Sequence, residues 1–141
     1  MSNFELYQSL FLDSFFAGLF FTLDYEYIIW VIHLFGSLNK GLVISIPSSG
    51  YMLSIIFNYF FGILFYKISS LYIKGPFHLR YKKIKTQVNS VWWIILFTTL
   101  ILGFGKFVFL FLGFLNIKPA ATLIFGLLLK IIYYTYYIYN F

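Results

Sequence analysis

The sequence predicts an all-helical integral membrane protein, as indicated by its composition, its apolar stretches and the distribution of its charges. Of its 141 residues, 62% are hydrophobic and 10% are charged, and the mean hydropathy is +0.89. A soluble domain carries about 25% charged residues. A chain of this length could not bury so much apolar surface in a soluble core. We therefore expect residues 1–141 to form a single domain that sits in lipid.

The apolar residues are concentrated in four long stretches, which comprise residues 9–36, 41–66, 91–115 and 119–139. Each is long enough to cross a hydrocarbon core about 30 Å thick, which takes about 20 helical residues. The second and fourth stretches predict ordinary spanning helices. The second has no charge between Lys40 and Lys67, and the fourth ends in five tyrosines that are typical of a membrane interface.

The first and third stretches are interrupted by polar residues. Asp24 and Glu26 lie in the middle of the first, and Gly103, Gly105 and Lys106 lie in the middle of the third. A carboxylate at the centre of a straight spanning helix costs about 2.5–3.5 kcal/mol, and glycine is a weak helix former. We therefore predict that each stretch folds as a re-entrant hairpin of two short helices. A tilted spanning helix with a snorkelling lysine remains the alternative for the third stretch.

The two halves of the chain also resemble each other. Gly-x-Leu-Asn followed by a lysine occurs at 36–40 and again, with one inserted residue, at 113–118. Interrupted segments at corresponding places in two halves are typical of inverted-repeat transporters. The predicted fold is therefore two re-entrant hairpins and two spanning helices in a pseudo-inverted repeat, joined by a basic linker at 67–90.

The charges are distributed unevenly along the chain. All four acidic residues lie within the first 26 positions, whereas six of the ten basic residues lie between 67 and 85. The positive-inside bias places the linker on the cytoplasmic or matrix side. After Gly75 and Pro76 it could form a short amphipathic surface helix or a solvated segment. We expect anionic lipid headgroups, not nucleic acid, to contact its basic side chains Arg80, Lys82, Lys83 and Lys85.

Several spaced motifs together resemble a known family. They are Glu26 in the first interruption, Gly50 followed by Asn58-Tyr59-Phe60-Phe61-Gly62, Gly113 with Leu115 and Ile117, and Lys130 with Tyr133-Tyr134. In this order and spacing the chain resembles the DedA-like (SNARE-associated, VTT-domain) membrane proteins, most closely the short YqaA-type branch. The resemblance implies two re-entrant hairpins that face each other across the membrane. It also implies flippase or scramblase activity on lipids, or transport of a polyprenyl-phosphate lipid carrier, with proton coupling in bacterial relatives.

The chain departs from the family pattern at several positions. Thr22 stands where the family usually has proline, Leu102–Gly105 stands where it often has Pro-x-x-Arg, and Tyr133 replaces an arginine. Lys106 lies one residue beyond the expected arginine of the second turn. Either Lys106 substitutes for that arginine or the transport machinery has diverged.

The candidate site residues follow from the chemistry of moving an anionic headgroup through lipid. A cation at depth must replace the water around the headgroup, and Lys106 beside Gly105 is the best candidate, with Lys130 added by the resemblance. Lys106 could instead snorkel or pair with an acid. Glu26 and, second to it, Asp24 are candidates for proton coupling, with a structural pair to Lys106 as the alternative.

Other classes of function find little support in the sequence. The absence of cysteine excludes disulfides and thiolate metal sites. His33 and His78 are far apart, and no catalytic triad, phosphate loop or metal-ligand spacing occurs. We expect no enzyme activity, metal or cofactor, and no cleaved signal peptide. The expected partners are membrane lipids, with a homo-oligomer or the subunits of a larger complex left open.

Three hypotheses for the function remain. The first is a DedA-like lipid translocator, and the second is a small hydrophobic subunit of a larger membrane complex of the organelle-encoded respiratory-chain type. A membrane scaffold or assembly factor is the third. The expected location is the bacterial inner (plasma) membrane, or the mitochondrial inner membrane if the chain is organelle-encoded.

Overall fold

The computed structural model describes residues 2–20, 38–72, 75–100 and 105–140, and the regular elements in these ranges are all helical. The helices are α1 (Asn3–Gly18), α2 (Lys40–Tyr72), α3 (Pro76–Phe97), α4 (Gly105–Phe114) and α5 (Pro119–Asn140). A 3₁₀ turn at Thr98–Leu100 continues α3. The predicted all-helical class is thereby confirmed for this part of the chain.

Two of these helices, α2 and α5, are long and apolar enough to cross a membrane. Only 28% of the most apolar window of α2, and 22% of that of α5, is buried inside the protein. A core helix of a soluble protein would be mostly buried. Instead, large side chains such as Phe60, Ile124 and Ile132 face outward with more than 60% of their surface exposed. This apolar exterior is typical of a lipid-facing surface.

The helices α1 and α4 run parallel to α2, on different parts of its surface. Gly50 of α2 lies against the backbone of Phe11, and further along both helices Gly18 lies against Ser54. The order of contacts is the same for α4. Its Phe109 packs on Tyr51 of α2, and its Gly113 packs farther along α2, between Tyr59 and Gly62. Residue numbers therefore rise in the same direction in all three helices.

Helix α5 runs antiparallel to α2. At its end, the Tyr139 ring lies beneath the amine of Lys40, the first residue of α2. At its start, the Tyr59 hydroxyl of α2 donates a hydrogen bond of 3.1 Å to the carbonyl of Ile117, in the turn before α5. We call the two ends of the bundle the Lys40 end and the Lys118 end. The Lys40 end holds the starts of α1 and α2, and the Lys118 end holds the end of α4 and the start of α5.

Glycines allow α2 and α4 to touch backbone to backbone. A Cβ atom on Gly113 would meet the carbonyl oxygen of Tyr59, and a Cβ atom on Gly62 would meet the carbonyl oxygen of Leu110. On the side of α1, the small residues Gly50 and Ser54 of α2 are four positions apart. Such spacing lets helices approach closely in lipid, where packing replaces the hydrophobic effect as the driving force.

Helix α3 crosses the predicted boundary between the basic linker and the third apolar stretch. It begins at Pro76, whose fixed φ and missing N–H suit a first helical position, and it continues without a break to Phe97. The predicted linker at 67–90 is thus divided between the end of α2 and the first two-thirds of α3. The basic segment forms a helix that is continuous with the apolar segment after it.

Helices α3 and α4 form an antiparallel pair that is in contact at both ends. At one end, a Cβ atom on Gly105 would lie 3.2 Å from the Cα of Thr99, whereas residues six apart in a straight helix are separated by about 9 Å. The start of α4 at Gly105 therefore lies back against the end of α3. At the other end, the Tyr81 hydroxyl donates to the Phe114 carbonyl at 3.2 Å. Burial, and then the neighbouring Tyr66, raise the pKa of Tyr81, so this donor stays protonated at neutral pH.

The first apolar stretch is interrupted earlier than predicted. Helix α1 starts with a capping box between Ser2 and Glu5 and ends at Gly18, before the predicted interruption at 22–26. The buried side chain of Asn58 binds this end, since its amide nitrogen donates to the Gly18 carbonyl at 2.7 Å and its oxygen accepts from the Phe20 N–H at 3.1 Å. Residues 21–37, with Asp24 and Glu26, lie outside the described residues.

We predict that Gly113→Ala lowers the free energy of unfolding in mild detergent by about 1–3 kcal/mol, because the added methyl group forces α4 away from the Tyr59 carbonyl. Thermal unfolding followed by tryptophan fluorescence measures the change. The matched control is Gly41→Ala, whose methyl group meets only the Asn39 side chain and should not destabilise the protein. Equal stability of the two variants would contradict the close packing of α2 on α4.

We also predict that Asn58→Leu destabilises the end of α1 by about 1–3 kcal/mol, because it leaves two backbone polar groups buried without hydrogen bonds. Hydrogen exchange should accelerate in a peptide that covers residues 16–20. The control variant Asn89→Leu changes an exposed residue of α3 and should leave this exchange unaltered. Unchanged exchange in Asn58→Leu would show that this side chain does not hold α1.

Candidate functional site

Lys130 lies in the middle of α5 among three tyrosine rings. Its Nζ atom is 4.7 Å from the ring centroid of Tyr51, 4.8 Å from that of Tyr133 and 5.0 Å from that of Tyr134. The electron-rich faces of aromatic rings attract a cation, more strongly where water is excluded. The lysine is half-buried, and Tyr134 is buried at 2% exposure. The tyrosines therefore supply part of the solvation that this ammonium group would have in water.

Two further lysine–aromatic pairs indicate how deep Lys130 lies. Lys118 lies over Trp92 and Lys40 lies over Tyr139, each with its Nζ atom 5.0 Å from the ring centroid. Between Lys118 and Tyr139 the chain rises about 32 Å at 1.5 Å per residue, close to the thickness of a hydrocarbon core. Lysines and aromatic residues are typical of the two membrane interfaces. Lys130 is about 18 Å along the chain from the first pair and about 14 Å from the second, near the middle of α5.

Lys106 lies at the same level of the bundle as Lys130. The ring of Phe109 packs against Gly126, so these two positions mark one contact between α4 and α5. Lys106 precedes Phe109 by about one turn, and Lys130 follows Gly126 by about one turn. Because α4 and α5 are antiparallel, both turns lead towards the Lys40 end. The fold therefore places the two cations in one layer.

Lys106 is buried at 7% exposure, although it is the second residue of α4. The positive end of the helix dipole disfavours a cation in the first turn, and a lysine at depth in a membrane is costly. Local helix preference does not explain a lysine here. A cation buried at such a position needs polar or aromatic partners.

Helix α1 reaches the same layer through Ser14. The Ser14 and Tyr134 side-chain oxygens are 3.1 Å apart, and either hydroxyl can donate. Both side chains are buried. Ser14, Tyr51, Lys130 and Tyr134 are joined by these contacts, and Lys106 lies at the same level. We call these five residues the lysine–tyrosine cluster. It lies where four helices, α1, α2, α4 and α5, come together.

The composition of the lysine–tyrosine cluster suits the binding of an anion. Its two ammonium groups can donate only, and its three hydroxyls can each donate or accept. Hydrogen bonds from a cation to an oxyanion are about twice as strong as neutral ones, and exclusion of water strengthens them further. Within the described residues no group of three or more His, Cys, Asp or Glu side chains could hold a metal ion.

The predicted site residues fall into three groups in the structure. Lys106 and Lys130 lie in one layer of the bundle, and Gly105, the residue before Lys106, lies against Thr99. Asp24 and Glu26 lie outside the described residues. The basic side chains of α3 lie elsewhere, at the Lys118 end, where Lys85 is half-buried and the others are exposed: Arg80, Lys82 and Lys83.

Sequence patterns did not identify the hydroxyl groups of the cluster. Tyr134 belongs to the tyrosines that we interpreted as an interfacial belt, and Tyr136 and Tyr139 fit that interpretation, with 63% and 64% exposure. Tyr134 does not, because it is buried against Ser14. Its spacing of four residues from Lys130 was the available signal, since residues four apart share one helix face.

Comparison with known proteins adds no relative to this picture. No protein-family model, curated protein or solved structure matches the chain. The resemblance to DedA-like proteins thus stays a prediction from the motifs. The lysine–tyrosine cluster, near the middle of two helices long enough to cross a membrane, is the feature from which a function can be inferred.

Proposed function

We propose that this chain is a DedA-like membrane protein that moves a lipid with an anionic headgroup, or a polyprenyl-phosphate lipid carrier, between leaflets. The observation that carries the proposal is the pair Lys106 and Lys130, in one layer near mid-depth where four helices meet. Cations at this depth are costly, and in membrane proteins they usually mark substrate or ion pathways.

The contacts of α3 and α4 support a re-entrant arrangement of the third stretch. The pair starts and finishes at the Lys118 end, where Tyr81 contacts Phe114, and it turns back between Thr99 and Gly105. At ten residues and about 15 Å, α4 is too short to cross a membrane. A hairpin with its turn near the midplane fits these distances.

The first stretch has its two ends placed in the same manner at the opposite end of the bundle. Phe4 and Tyr7 of α1 share a cavity with Ile46 and Ser49 of α2, so both helices begin near the Lys40 end. Helix α1 runs away from that end, and α2 starts at it. This favours a second hairpin, inserted from the side opposite to the first.

The repeated Asn–Lys motifs also occupy equivalent positions. Lys40 is the first residue of α2, and Lys118 directly precedes α5. Lys40 lies over the Tyr139 ring at one end of the bundle, and Lys118 lies over the Trp92 ring at the other end. Inverted repeats place equivalent residues on opposite sides of a membrane. The positions of the two lysines support a pseudo-inverted repeat.

In the proposed mechanism the headgroup replaces water with donors from the lysine–tyrosine cluster. Headgroup oxygens accept hydrogen bonds from the ammonium groups of Lys106 and Lys130, while the Ser14 and Tyr134 hydroxyls reorient to donate or accept. The acyl or prenyl tail stays in the bilayer, beside the exposed Phe107 and Phe111 of α4. Asp24 and Glu26 remain the candidates for proton coupling. The positive-inside bias places the Lys118 end on the cytoplasmic or matrix side of an inner membrane.

Topology provides the first test, because the chain lacks cysteine and single cysteines can be introduced. We expect Ser2→Cys and Asn140→Cys to react with an impermeant thiol reagent from one side of the membrane. Asn116→Cys should react from the other side, together with a cysteine placed at Lys83. If residues 2 and 140 instead share the side of residue 83, the chain has four plain spans and the hairpin arrangement is wrong.

Transport provides the second test, in proteoliposomes that contain a fluorescent anionic lipid. We predict that Lys106→Gln and Lys130→Gln each slow its exchange between leaflets about tenfold or more, because each removes a charged hydrogen bond worth about 1.5–3 kcal/mol. Lys106→Arg keeps the cation and should retain most of the rate. The control variant Lys67→Gln changes an exposed lysine at the end of α2 and should transport normally.

The outcome also decides between this proposal and a role as a small subunit of a larger membrane complex. Normal transport in both glutamine variants would remove the two lysines from the mechanism. Absence of any transport by the folded wild-type protein, together with stoichiometric co-purification of other membrane proteins, would favour the subunit role.

A further inference from the structure

The Lys118 end of the protein is strongly and uniformly basic. The basic side chains at this end, all exposed except the half-buried Lys85, are Lys67, Arg80, Lys82, Lys83, Lys85 and Lys118. Among the described residues no acidic side chain lies at this end. The Lys40 end has Lys40 together with the exposed Glu5. The difference in charge between the two ends is therefore large and is carried mostly by α3.

The outward face of α3 combines cations with exposed apolar side chains. Leu79 is 73% exposed and lies one turn from Lys83, with Arg80 beside it, while Ile84 is 44% exposed. Tyr81 points inward at 8% exposure. A helix that only had to be soluble in water would not expose leucine at the centre of its basic face. This combination fits the boundary between headgroups and acyl chains, where each type of side chain has a partner.

Packing fixes the basic face of α3 at the Lys118 end, about 10–18 Å along the helix from Trp92. The Tyr81 ring stacks on Tyr66 of α2 at 4.3 Å between centroids, and its hydroxyl binds the Phe114 carbonyl of α4. Farther along α3, Trp92 lies under Lys118, the pair that marks the interface on this side. The cations therefore belong to a folded surface held near the headgroups.

We infer that the outward basic face of α3, formed by Arg80, Lys82 and Lys83, together with the half-buried Lys85 on the side of Tyr81, is a binding surface for anionic lipid headgroups of the leaflet at the Lys118 end. The inference rests on the proposed function, because it requires a protein that is inserted in a membrane. It deepens that function by naming the leaflet from which the headgroup is loaded. Anionic lipid concentrates at the end from which the α3–α4 hairpin enters. Loading of the lysine–tyrosine cluster is then favoured from that leaflet.

Native mass spectrometry of the purified protein with equal amounts of phosphatidylglycerol and phosphatidylcholine tests the inference. The wild-type protein should retain phosphatidylglycerol in preference. Each cation near a membrane surface contributes about 1 kcal/mol, which is about fivefold in binding, so the variant R80Q/K82Q/K83Q/K85Q should lose at least about tenfold of this preference. The matched control Lys40→Gln, which removes a cation from the opposite end, should keep it. High salt should reduce the preference of the wild-type protein.

Two outcomes would overturn the inference. One is an unchanged preference in the quadruple variant, and the other is an equal loss in Lys40→Gln. Arg80, Lys82 and Lys83 are exposed and Lys85 is half-buried, so thermal unfolding of the variant should stay close to that of the wild-type protein. A variant with a normal melting temperature makes either result decisive. The measurement is an equilibrium one, so it is independent of transport. A failure of Lys106→Gln to slow transport would reject the proposed function and leave this binding result intact.

Discussion

Contact between the backbones of α2 and its neighbours is the constraint on which the rest of the structure depends. In lipid, apolar side chains gain nothing from avoiding their surroundings, so helices associate through close fit and polar bonds. Gly62 and Gly113 provide that fit for α4, and Gly50 provides it for α1. The register of these contacts determines which residues of α1, α4 and α5 reach one layer. The lysine–tyrosine cluster therefore depends on glycines that do not belong to it.

Several hydrogen bonds in the interior of the protein serve the places where helices stop. Asn58 satisfies the backbone at the end of α1, and Tyr59 satisfies the turn between α4 and α5. Tyr81 does the same for the end of α4. An unpaired backbone group is expensive where no water is present, so a chain with short helices needs a side-chain partner at each break. These partners belong to the long helices α2 and α3, whose own backbone hydrogen bonds are uninterrupted at these positions.

The sequence was sufficient to predict the all-helical class and the two apolar helices long enough to span. Uninterrupted apolar runs leave few alternatives, and Lys106 and Lys130 stand out because charge is rare within them. The extent of α3 could not be predicted, because its basic half and its apolar half have opposite solvent preferences. Nothing in the sequence pattern indicates that one continuous helix contains both. Ser14, Tyr51 and Tyr134 were missed for a related reason. Hydroxyl groups are common at membrane interfaces, and only the packing of four helices distinguishes the buried ones.

The continuity of α3 has a mechanical consequence. A helix of 22 residues is a stiff rod about 33 Å long, and this one carries the basic face near one end and the turn to Lys106 at the other. Its buried contacts, at Tyr81, Val88 and Leu96, lie along one side. A force on the basic face is therefore transmitted along the rod to the 3₁₀ turn at Thr98–Leu100, beside the start of α4. If the basic face binds anionic lipid as proposed, the lipid composition of one leaflet acts as a lever on the position of Lys106.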